Sequence, residues 1–252
     1  MRVNFFEEFP LEQGNLETAA MVEFPSTIYL AAKCLDEFKL VREKLARSNP
    51  KLEAAYWPIL EKSYFVNPFA YPEELEALAK ELKECPSGLK VLIDNELPLL
   101  RIASFPENYS NRKNNVKFIG SMIHDFSKLE FITAEMIAWN FLSNQGFKFL
   151  GFDLNEKKFP HKKIRMYYSS LFGEKFGNKL KERLALEKKE KKENLQIAFG
   201  TMAKGVYDEP IISSEQLDRD FEFAKENGFD TITLFRLGGL NKEYLKVIGT
   251  YL

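Results

Sequence analysis

The chain has 252 residues, 45% of them hydrophobic and 14% aromatic with 23 Phe, enough apolar side chain for a large core and too much for disorder. Its 36 Lys+Arg against 37 Asp+Glu leave a net charge of −1, so no overall field draws it to nucleic acid or to an anionic membrane. A chain of this length suits one (β/α)8 barrel, and a single domain over 1–252 is expected.

The amino terminus, MRVNFFEEFP, turns acidic early and lacks the apolar stretch of roughly 7–15 residues that a signal peptide needs. No segment approaches the ~18 uninterrupted apolar residues of a membrane span. A cytoplasmic protein is expected, and its many Lys and Glu, suited to surface ion pairs, suggest a thermostable one.

In chain order, a strand over 2–8 is followed by a short helix near 16–22 behind the candidate cap Asn15. A second strand covers 26–32. Leu35, Phe38, Val41 and Leu45 then make a helical stripe that Asn49-Pro50 ends. The third strand, 52–57, stops at Pro58 and opens a long aromatic loop, KSYFVNPFAYPEE. Pro72 starts a helix with Leu75, Leu78 and Leu82 inward, broken at Pro86-Ser87-Gly88. The fourth strand is 89–96.

Val116, Ile119, Met122, Ile123 and Phe126 recur at helical spacing, and a second helix is read from Thr133 through Met136, Ile137, Asn140 and Phe141 to Gly146. FKFLGFDL, 147–154, and KIRMYYSS, 163–170, supply strands five and six. The link between them is too short for a crossover helix, so the barrel is irregular at that joint. A charged helix over 173–193 leads to strand seven, 195–202. Ser213 and Gln216 have capping-box spacing ahead of Leu217, Phe221 and Ala224, and strand eight is 231–237. Strands alternating with helices predict an α/β fold, a (β/α)8 TIM-type barrel.

Cys34 and Cys85 lie far apart without metal-binding spacing and are expected as free, buried thiols. His124 falls on a helix and His161 in the link between strands five and six, packing positions rather than ligand positions. No P-loop, dinucleotide fingerprint or nucleophile elbow is present, so no cofactor or metal is expected. An all-oxygen Mg2+ site from Glu8, Asp94, Glu96 and Asp153 stays open.

Barrel enzymes work at the carboxyl ends of their strands. Those ends carry Glu8 after strand one, Tyr56-Trp57 at strand three, Asp94 and Glu96 at strand four, Asp153 at strand five and Arg236 at strand eight. Asp94 and Glu96 share a face because side chains alternate with period two, and two nearby carboxyls suit acid/base work: Glu96 as general acid, Asp94 as its partner. The plain alternative is a surface cap or salt bridge. Tyr56 and Trp57 offer platforms for sugar rings, against simple burial. Glu8, Asp153 and Arg236 complete the expected substrate-binding set.

Asp94-x-Glu96, Trp57-Pro58 and the ending EPIISSEQLDRDFEFAKENGFDTITLFRLGGL resemble sugar-hydrolysing barrels of the chitinase and lysozyme type. The resemblance implies cleavage of a glycosidic bond in an oligosaccharide, with Glu96 donating the proton. Val91, Leu92 and Ile93 stand where the chitinase run has further aspartates, so it does not extend to chitin or substrate-assisted chemistry. A competing reading places phosphate at Gly200, Gly205, Gly238-Gly239 and Arg236, as in isomerases, aldolases or lyases of phosphorylated metabolites. A third is a non-catalytic barrel that binds carbohydrate or protein.

Overall fold

Eight parallel strands close into a barrel in sequence order in the computed structural model, which describes residues 1–97, 107–137, 144–172 and 174–252. They are β1 (Arg2–Glu7), β2 (Thr27–Ala32), β3 (Glu53–Pro58), β4 (Lys90–Asn95), β5 (Glu130–Met136), β6 (Lys162–Met166), β7 (Leu195–Gly200) and β8 (Thr231–Phe235). Among the described residues the helices are α1 (Leu35–Ser48), α2 (Pro72–Lys83), α3 (Arg112–Asp125), α4 (Asn144–Leu150), α5 (Glu174–Lys191), α6 (Ser214–Glu226) and α7 (Lys242–Gly249). None of them is long and apolar enough to cross a membrane. The chain divides into two compact units, one of 1–31, 39–55 and 164–252, the other of 32–38 and 56–163.

In the first unit β1 lies between β2 and β8, and β8 also pairs with β7, all parallel. Phe199 of β7 meets Phe221 of α6 (6.4 Å), so Phe199 and its register partner Leu234 face the helices. Phe5 pairs with Leu234 and shares that face. Phe6 turns the other way, against Tyr29 (5.4 Å) and Phe235 (6.4 Å). Each such ring removes enough area from water to contribute roughly 2–3 kcal/mol. Ser213 caps α6 by accepting from the Gln216 N–H, as its spacing foretells. Asn15 is not a cap: the short 3-10 turn Glu17–Met21 begins behind Leu16, and Asn15 turns back to the Phe9 carbonyl (2.8 Å).

In the second unit β5 pairs with β4 over six residues, from Lys90–Glu130 to Asn95–Glu135. The segment from Thr133 therefore belongs to a strand rather than to a helix. A strand buried on both faces shows no clean alternation, which hides it from periodicity. Asn140 and Phe141 lie outside the described residues.

The expected strand 147–154 is instead α4 and the turn after it. Gly151 ends α4 at φ +91, a left-handed conformation that glycine adopts without strain. The Gly151 N–H donates to Lys148 O and the Phe152 N–H to Phe147 O, the paired closure of a helix C-terminus. The short, helix-free joint expected between strands five and six is therefore not formed: with β5 at Glu130–Met136, the connection to β6 carries α4. Cys85 is buried, whereas Cys34 is exposed in the turn between β2 and α1, where the chain leaves the sheet for solvent.

Candidate active-site residues

In the second unit Tyr56 fixes which way each side chain of β3 and β4 points. Its ring packs on Phe38 of α1 (5.0 Å) and its hydroxyl donates to Glu81 of α2 (2.5 Å). Burial, then the Glu81 carboxylate, pushes the phenol far above its usual range. The platform expected of Tyr56 is thus not formed: the ring faces the helices. Its neighbour Trp57, 3% exposed, points the opposite way.

Tyr56 pairs in register with Val91, so Val91, Ile93 and Asn95 face the helices. Leu92 and Asp94 face the lumen, and Glu96 is the first residue past the strand end. Asp94 is 3% exposed with Ala134 beside it in register, while Glu96 is half-buried. Trp57 and Asp94 therefore share the lumen-facing side of this unit's strands, with Glu96 two residues beyond Asp94.

Asp153 does not end a strand. It lies after α4 and accepts from the fully buried Lys163 ammonium (2.5 Å). Lys163 also pairs with Glu135 of β5 (2.8 Å) and donates to Leu154 O (2.9 Å). Glu135 neighbours Asn95 in register and so lies on the helix-facing side. His161 donates from Nδ1 to Phe159 O, and burial lowers its pKa, keeping it a neutral packing residue. Among the described residues no group of three His, Cys, Asp or Glu is arranged to hold a metal.

In the first unit Arg236 is committed to Glu7, the neighbour of Glu8 at the end of strand one and not one of the expected site residues. Its Nη1 donates to Glu7 Oε1 (3.0 Å) and its Nε to Lys204 O (2.9 Å), and its guanidinium lies 4.9 Å from the Phe9 ring centre. Glu7 also accepts from the N–H groups of Phe9 (2.9 Å) and Gly238 (2.6 Å). A Cβ at Gly238 would meet Asn15 Oδ1 at 2.5 Å, so the close approach needs glycine. Burial pushes the Glu7 carboxyl above the usual carboxylate range, although Arg236 and the two N–H groups pull it down. The corner where barrels bind phosphate already holds a carboxylate. Glu8, 6% exposed, accepts from the Val206 N–H (3.1 Å) and so grips the loop after β7.

No family model and no curated protein matches the chain. Solved structures do. A GH18 chitinase from Pseudoalteromonas aurantia aligns over 100% of both chains at 8% identity and a TM-score of 0.54. The glycoside hydrolase domain of PgaB (BpsB) from Bordetella bronchiseptica aligns over 97% of this chain and 95% of its own at 11% identity and 0.57. The 3-keto-D-glucoside 4-epimerase YcjR of E. coli aligns over 100% and 98% at 10% identity and 0.50. At such identities the likeness is one of fold, and the resemblance to chitinase-type barrels is present in the fold.

Proposed function

We propose that this barrel hydrolyses glycosidic bonds, with Glu96 as general acid and Asp94 as the carboxylate that orients or stabilises beside it. The observation that supports the reading is Asp94 on the lumen-facing side of β4, away from the face Tyr56 packs against the helices, with Glu96 two residues on, just past the strand end. Hydrolysis of a glycosidic bond needs one carboxyl to protonate the leaving oxygen and a second to act at the sugar carbon or on water. Trp57 supplies an apolar surface on the same side. Glu8 serves through the loop it holds, and Tyr56, Asp153 and Arg236 act as structural residues. Glycoside hydrolases among the barrels of like fold support the reading.

Chromogenic glycosides test it. Glu96→Gln is nearly isosteric at a half-buried position, so the fold is retained while kcat falls by about 10²–10⁴. Activity at the wild-type level in that variant removes Glu96 from the acid role. Sugar binding with no turnover in either protein returns the molecule to a carbohydrate-binding role. The phosphorylated-metabolite reading loses its donors, because Arg236 and the Gly238 N–H are engaged by Glu7.

A further inference from the structure

Arg112, at the first position of α3, is 4% exposed, yet among the described residues its guanidinium makes no ion pair and its Nη1 has no hydrogen-bond partner. A buried charge without a partner is among the most costly arrangements a fold can hold. Asn108, 3% exposed, likewise leaves its Nδ2 donor unused. The helix that Arg112 opens has no acidic residue in its first turn and no side-chain cap, so its positive end adds to the unanswered charge. The neighbouring carboxylate Glu107 accepts instead from the Tyr71 hydroxyl (2.9 Å).

Two rings cover the guanidinium, Phe149 with its centre at 4.2 Å and Tyr109 at 5.0 Å. Both are themselves open to solvent, Phe149 64% and Tyr109 50% exposed. The cluster lies at the same end of this unit as the candidate carboxylates. Phe149 is on α4, and Gly151 just after α4 accepts from Asn95 Nδ2 (3.0 Å), the residue between Asp94 and Glu96.

We propose that Arg112 anchors a further sugar subsite that selects a uronic acid, a sugar unit bearing a carboxylate. The proposal rests on the glycosidic reading above. With rings over the guanidinium, its in-plane edge is the side left for a ligand, and a planar two-oxygen carboxylate matches that fork. The exposed rings beside it take the apolar face of a pyranose.

Calorimetric titration with cellotriose, cellotriose oxidised at C6 to the uronic acid, and free glucuronate tests this on the whole protein. The wild type binds the oxidised trisaccharide about tenfold or more tighter than the neutral one, the scale of a charge-assisted hydrogen bond. Arg112→Met abolishes that preference and leaves affinity for cellotriose unchanged. Its Tm does not fall, because an unpaired buried charge has been removed. Phe149→Ala weakens both trisaccharides and keeps the preference.

Should Arg112→Met fail to fold, Arg112→Lys, which keeps the charge and loses the fork, must still lower the preference. Equal affinity for the two trisaccharides, a preference that survives Arg112→Met, or no response to any probe overturns the subsite. A lower Tm with the preference intact overturns it too, marking Arg112 as a structural cation. Glucuronate binding that requires Arg112, with neither trisaccharide bound, upholds the anion site and overturns the glycosidic reading alone.

Discussion

Replacing Arg236 by Met should destabilise the protein by about 4 kcal/mol at neutral pH. The largest part comes from Glu7, which is fully buried and would lose Arg236, its one ionic partner among the described residues. Breaking a buried pair from one side costs about 3–5 kcal/mol, and the lower end applies because Phe9 N, Gly238 N and Asn15 Nδ2 still donate to the carboxylate. The Lys204 carbonyl loses its Nε donor for about 1 kcal/mol, and the contact with the Phe9 ring adds about 0.5. Glu7→Gln combined with Arg236→Met removes both charges, so its cost falls to about 1–2 kcal/mol, well below the sum of the two single variants.

The pH dependence has a definite sign. Burial raises the folded pKa of Glu7 above its unfolded value, so its contribution is full below the unfolded pKa and is lost as pH rises through the folded one. Removing Arg236 takes away the main force lowering that pKa. The deficit of the variant is therefore largest at neutral pH and shrinks as pH falls toward about 4.3. Urea unfolding of the two single variants and the double variant at pH 5 and pH 8 measures both quantities. Coupling below about 1 kcal/mol, or an Arg236→Met deficit equal at the two pH values, refutes the reasoning.

Lys163→Met removes an ammonium held by Glu135 and Asp153 and leaves the buried Glu135 without it; a loss of about 3–5 kcal/mol is expected in thermal unfolding, partly recovered by adding Glu135→Gln. Glu187 on α5 receives a two-pronged contact from Arg165 of β6 and a bond from Lys191, and although burial pushes its pKa up, these cations hold it below the usual value. Its stabilisation is present above the unfolded pKa and is lost as pH falls through the folded one, so Glu187→Gln should cost about 1–3 kcal/mol at pH 7 and flatten the acid limb of stability measured from pH 7 to pH 3.

Seven of the strands are legible because β-branched and aromatic runs stand between clear breakers such as Pro58, Pro86-Ser87-Gly88 and Asn227-Gly228. β5 was not, since Thr133 and Glu135 read as polar positions of a helix until Lys163 and the Leu154 N–H supply their setting. Alternation correctly separates the faces of Tyr56 and Trp57. It does not say which face meets the helices, because Glu81 and Phe38, far along the chain from Tyr56 or on another element, decide that.

The spacing of Asp94 and Glu96 at a strand end is legible from period two, although the strand stops at Asn95, one residue short of Glu96. Arg112 stood in the polar run NRKNN, where nothing local signals that a guanidinium will be buried. Glu7 was overlooked for a related reason. Of two adjacent acids, Glu8 lay nearer the strand end, while the partner of Glu7 is 229 residues away.

A barrel whose glycine corner stands open gains stability from whatever anion occupies it, by RT ln(1 + [L]/Kd), and its robustness then follows the supply of that ligand. Here the anion is a side chain on β1, tethered to the same molecule and present at a fixed effective concentration. The stability of this corner is consequently written into the covalent chain and is insensitive to metabolite levels.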